Sequence, residues 1–254
     1  MAEPIQTRVA HTGADELRFR GKRVFGELLG KATVSQMLVL GLSGRWLDGG
    51  ELAVIDDIVV AMSSADPRLW PFKVTRLASA YGRATFGVAA TLVSGEGGMY
   101  GGNRLAGAAL WLQALVARGE VSDDDVHAAL QAGGAGFGVL YRGRDERFDA
   151  LVAQTERRGK NALPAMRSAL QASRVARERM QIQPHVYLAI AALGLDLGLE
   201  PAEIALIGMI CLFHDALANA SEGARQAPAI LRAIPSGSID YQGPPPRTSP
   251  RATD

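Results

Sequence analysis

The feature that most constrains this chain is its periodicity. From Lys31 to Gly223 apolar residues recur at helical spacing, and alternating strand patterns are almost absent. An all-α fold follows. KATVSQMLVLGLSGRWL opens with a Thr33-x-x-Gln36 capping box and stops near Gly44. LDGGELAVIDDIVVAMSS makes a second helix. Asp66-Pro67 then reads as a cap and first-turn proline before RLWPFKVTRLASAYG, with Pro71 limiting or kinking that piece. Further helices are predicted in RATFGVAATLVS, NRLAGAALWLQALVARG, and VSDDDVHAALQAG, which carries a Ser122/Asp125 box. FDALVAQTERRG, ALPAMRSALQASRVARERM, HVYLAIAALGLDLG and EPAEIALIGMICLFHDALANASEG complete the series. The basic face of RSALQASRVARERM reads as solvated, with Arg174 and Glu178 one turn apart.

Two glycine-rich breaks interrupt the helices, SGEGGMYGGNRLAG from Ser94 and GGAGFGVLYRGRDERF from Gly133. Irregular backbone of this kind lets a ligand approach N–H groups, so function is expected there. A nucleotide site is excluded: neither break ends in GK[ST], and neither follows a strand. At 254 residues and 48% hydrophobic content the chain can bury a large core. Its formal net charge of +1 gives no overall field toward nucleic acid or a membrane, and neither is expected as a partner. One cysteine, Cys211, in an apolar run, and four scattered histidines provide neither a disulfide framework nor a metal site. The N-terminus has no apolar signal core, no apolar run of the roughly 18 residues needed to span a membrane is read, and a cytoplasmic location is expected. The Pro-, Ser- and Gly-rich tail reads as an irregular arm.

Four of these pieces, in this order, resemble motifs of the citrate synthase superfamily, most of all its short citryl-CoA lyase branch. ELLGKATVSQM takes the place of D-L-L-G-x-x-S-F-x-E-M, and YGGNRLAGA that of a central H-G-G-A. GFGVLYRGRDER resembles G-F-G-H-P-x-Y-x-x-x-D-P-R, and DYQGPPPR, Asp240 to Arg247, resembles R-Y-V-G-P-x-P-R. The resemblance implies an all-helical homodimer with a large and a small domain. Residues 1–132 would form the large domain, 133–215 the small one, and 216–254 the return to the large domain and the C-terminal arm. It also implies a small-molecule substrate, a CoA thioester, with no permanently bound cofactor. The chemistry would be that of a lyase or transferase that makes or breaks a carbon–carbon bond next to the thioester carbonyl.

The family performs this chemistry with two histidines and an aspartate, and here the chain departs from it. Tyr100 stands at the H-G-G-A histidine. Val139 or a deletion replaces the second histidine, and PHVYLAI puts His185 and Tyr187 where N-x-D-G is usual. A further arginine is missing from LIGMICLF. These losses count against ordinary citrate synthase activity and imply a rebuilt site. Tyr100 is expected as a hydrogen-bond donor, and His185, titrating near neutrality, or Tyr187 as the base. Arg147 matches the arginine that grips a carboxylate of the oxo acid, while Arg142 and Arg144 lie in the loop that meets the CoA phosphates. His214 resembles a family histidine near the arm, and Asn103 is placed as a ligand contact. Glu96 and Lys73 join them by position alone; His11 and His127 read as peripheral. Two alternatives stand beside this reading: the same cleft used for hydrolysis or cyclisation of a thioester or β-keto compound, and a non-catalytic ligand-binding homologue.

Overall fold

The computed structural model describes residues 5–96, 101–134, 136–139, 143–226, 236–238 and 240–244. Its architecture is a bundle of α-helices preceded by a small sheet. The helices are α1 (Val34–Ser43), α2 (Gly49–Ala61), α3 (Trp70–Tyr81), α4 (Ala84–Gly95), α5 (Gly102–Arg118), α6 (Asp123–Gln131), α7 (Glu146–Arg157), α8 (Pro164–Met180), α9 (Val186–Asp196), α10 (Pro201–Cys211) and α11 (Phe213–Gly223).

Caps set many of the boundaries. The Thr33 hydroxyl accepts the Gln36 N–H, although the Gln36 side chain turns away to the Arg45 carbonyl, so only half of the expected box forms. Asp48/Glu51 and Ser122/Asp125 close full boxes at α2 and α6.

Three details differ from the sequence reading. β1 (Ala10–Thr12), β2 (Leu17–Phe19) and β3 (Lys22–Arg23) form an antiparallel sheet in order β1-β2-β3. Strands of two and three residues are too short to show alternation. A tight turn with positive φ at Arg20 (48°) and Gly21 (81°) joins β2 to β3, matching the right-handed twist of the strands. The second difference concerns α3, which begins at Trp70, so that Pro71 rather than Pro67 occupies its first turn. Phe72 is then buried, and residues 62–69 are left as a strap between α2 and α3. Finally, Pro201–Gly223 is a 23-residue stretch apolar enough to cross a membrane by composition, longer than the sequence reading allowed. Half of its apolar window is buried, α10 against α5 and α11 against α3 and α4, so the apolarity serves the bundle.

The main core gathers α2 and α5 to α10 around α9, whose first nine residues are all buried. That accounts for its being hydrophobic all round. Alongside this core α3, α4 and α11 pack on one another as a separate trio. Chain crosses between the two groups at the strap, after α4 and at Leu212, and the strap lines a cleft between them.

A short antiparallel bridge places the start of α9. Gly138 N–H donates to the Gln183 carbonyl and His185 N–H to the Gly136 carbonyl, at 2.9 and 2.8 Å. Gly136 has φ +83°, and a Cβ there would stand 2.9 Å from Leu188 Cβ. Gly136→Ala is therefore expected to cost about 1–3 kcal/mol from left-handed strain and overpacking. A thermal melt matching the wild type would show instead that this segment shifts freely.

Candidate active site

The cleft has a volume of about 710 Å³. One wall is the strap, Ser63 to Leu69, with Lys73 of α3. The other, among the described residues, is Val139, Arg144 to Arg147 and His185. Among the described residues, seven ionisable side chains besides His185 line it: Asp66, Arg68, Lys73, Arg144, Asp145, Glu146 and Arg147.

Asp145 organises the second wall. Its side chain is 3% exposed, yet both oxygens are used. Oδ1 accepts from Arg147 N–H at 3.2 Å and Nε at 2.8 Å, while Oδ2 accepts from Arg147 Nη2 and from the Val186 N–H, both at 2.9 Å. One carboxylate therefore caps α7, grips the arginine side-on and satisfies the first N–H of α9. Burial pushes its pKa up, but Arg147 and the Val186 N–H outweigh that and hold it below the usual carboxylate range. Because Nε and Nη2 face Asp145, the edge of Arg147 that remains for a ligand is the one carrying Nη1, which has no partner among the described residues.

His185 caps α9. Its Nδ1 accepts the Tyr187 N–H at 3.2 Å, and its Nε2 lies 3.3 Å from Arg147 Nη2 and 3.8 Å from Asp145 Oδ2. Burial and then the Arg147 charge push its pKa down to about 3. This corrects the expectation of a histidine titrating near neutrality: at physiological pH the His185 ring is neutral, and only a feeble base. Tyr187 is buried in the core, edge-on to the His185 ring at 4.5 Å between centroids, and does not line the cleft.

The other expected residues are dispersed. Tyr100 and Arg142 lie outside the described residues. Arg144 lines the cleft with Nε bound to Asp149 Oδ2 at 2.7 Å. Lys73 lines it from the opposite wall. Asn103 is exposed at the start of α5, beside a different groove; its N–H and that of Gly102 bind the Glu96 carboxylate, so Glu96 caps α5. His214, on α11, lies behind the strap, with Nε2 2.7 Å from Ser63 Oγ. His11 and His127 are exposed and do not line the cleft.

Sequence reasoning missed Asp145, although it stands in the quoted GFGVLYRGRDER; the signal was an acid two residues before Arg147. It also missed Ser63, Ser64 and Asp215, for which no local pattern exists.

No family model matches the chain, and no curated protein sequence matches it. Solved structures do. Citryl-CoA lyase from Hydrogenobacter thermophilus superposes with a TM-score of 0.83 at 21% identity, over 98% of both chains. The fold is citrate synthase-like. ATP citrate lyase from Methanosaeta concilii, solved in complex with (3S)-citryl-CoA, matches with a TM-score of 0.77 at 17% identity; 96% of this chain covers 43% of that one. Citrate synthase from Thermotoga maritima gives 0.58 at 16% identity, over 85% of this chain and 59% of that one. The end-to-end match is thus to the short citryl-CoA lyase form of the citrate synthase fold. The fold expected from the four sequence motifs holds.

Proposed function

We propose that this chain is an enzyme acting on an acyl-CoA thioester, making or breaking a carbon–carbon bond next to the thioester carbonyl with a rebuilt set of side chains. The observation that carries this reading is Arg147: a guanidinium lining the cleft of a citrate synthase-like fold, clamped by a buried carboxylate with the Nη1 edge left over. Arg147 binds a substrate carboxylate end-on, and Arg142 and Arg144 meet the CoA phosphates. The Tyr100 hydroxyl donates to the carbonyl oxygen where charge develops. Proton transfer falls to a carboxylate rather than to His185, and Glu146 and Asp66 line the cleft.

The test is deuterium uptake at the α-position of acetyl-CoA in D2O, read by mass spectrometry with and without small oxo acids. Uptake above the protein-free control is expected, reduced in Glu146→Gln and retained in Tyr187→Phe. CoA-ester binding without uptake or turnover would exclude enolate chemistry and favour a non-catalytic role for the cleft.

A further inference from the structure

Ser63 lies on the strap, exposed and lining the cleft, with Oγ 2.7 Å from His214 Nε2. The same ring nitrogen is 3.2 Å from Asp215 Oδ1. His214 Nδ1 is buried and has no partner among the described residues. The Asp215 side chain is 3% exposed, and its other oxygen accepts the Ser64 N–H at 2.9 Å. Four residues further along α11, Asn219 donates from Nδ2 to the Ala65 carbonyl at 2.9 Å. Consecutive strap residues 63, 64 and 65 are thus each fastened to α11.

These contacts locate one proton. On Nδ1 it would be a buried donor without an acceptor, and the bare Nε2 would face the Asp215 oxygen. On Nε2 it lies between two acceptors, Asp215 Oδ1 and Ser63 Oγ. The ring is therefore the Nε2–H tautomer, and Ser63 Oγ accepts from it. A hydroxyl that accepts from the ring must send its own hydrogen elsewhere. No acceptor for it occurs among the described residues, and the open side is the cleft. The same placement excludes Ser63 as a nucleophile activated by His214, because Nε2 has no free lone pair to take the serine proton.

We infer that Ser63 is a ligand-binding donor, its hydroxyl aimed by His214 and Asp215 at a carboxylate or carbonyl oxygen of the molecule in the cleft, on the wall across from Arg147. This deepens the reading of the cleft as a substrate site and rests on it. His214 and Asp215 are positioning residues that act through the serine.

The experiment uses the full chain, titrated calorimetrically with oxaloacetate and separately with acetyl-CoA. Ser63→Ala removes one hydroxyl from an exposed position, so its melting temperature should equal the wild type's. Its affinity for at least one of the two probes should fall about tenfold or more. His214→Phe should weaken the same probe to a similar extent, and the double variant no further, since the histidine acts only through Ser63. In ¹⁵N-histidine-labelled wild type, His214 should report a protonated Nε2 and a bare Nδ1. Unchanged affinity of Ser63→Ala for both probes, or a proton on Nδ1, would overturn the assignment while leaving the cleft reading intact. If the wild type binds neither probe, the Ser63 assignment and the cleft reading fall together.

Discussion

Asp145→Ala should destabilise the protein by about 3 kcal/mol and abolish carboxylate binding in the cleft, because one deletion strands a partly buried cation and the first N–H of α9 together. The size follows from the asymmetry of buried pairs. Forming such a pair gains little over an apolar substitute, but removing one partner leaves the other uncompensated. Asp145→Asn keeps the shape and one acceptor oxygen while losing the charge, so it should recover part of the stability but not the fixed direction of the guanidinium. Urea denaturation of the three proteins measures the first effect and calorimetry with oxaloacetate the second. A loss below about 1 kcal/mol for Asp145→Ala would mean that water replaces the carboxylate readily, and that the wall does not depend on it.

The second large effect is acid sensitivity arising from His185. Its native pKa of about 3 lies below the ordinary 6.5, so the unfolded chain takes up this proton as pH falls below about 6.5, while the native protein resists until near 3. Stability should therefore fall across that window, by up to roughly 1.4 kcal/mol per pH unit from this one group. Asp145 behaves differently: its lowered pKa stabilises the fold above the ordinary carboxylate range, and that contribution is lost as pH falls from that range through its depressed native value. The two windows separate the groups. His185→Asn retains an acceptor suited to the first turn of α9, so its stability at neutral pH should stay within about 1 kcal/mol of wild type. Its urea midpoints between neutral pH and about 4 should be much flatter than the wild type's. Identical slopes would place the acid sensitivity elsewhere.

Helix positions were legible because their ends carry local chemistry. Asp123 follows Ser122, with Asp125 returning the cap, and the series of such ends needs no tertiary information. Where the deciding contact is distant, legibility stopped. Pro67 and Pro71 are both good first-turn prolines, and burial of Phe72 favours a helix starting at Trp70. No proline or glycine marks the break at Leu212; it falls where the chain leaves the main core for the trio. For the site, the sequence supplies residue types without environments. His185 becomes a weak base through burial and proximity to Arg147, neither visible in PHVYLAI. Ser63 and His214 are 151 positions apart, so no motif scan joins them.

The trio of α3, α4 and α11 has a consequence for biosynthesis. Its first two helices are complete at Gly95, but the third begins only at Phe213. Roughly 120 residues must leave the ribosome before α11 can cover them, which at about 5–20 residues per second is on the order of ten seconds. During that interval the faces of α3 and α4 that will meet α11 are open to other nascent chains and to chaperones. The cleft therefore forms late, since the strap is fastened only when α11 arrives.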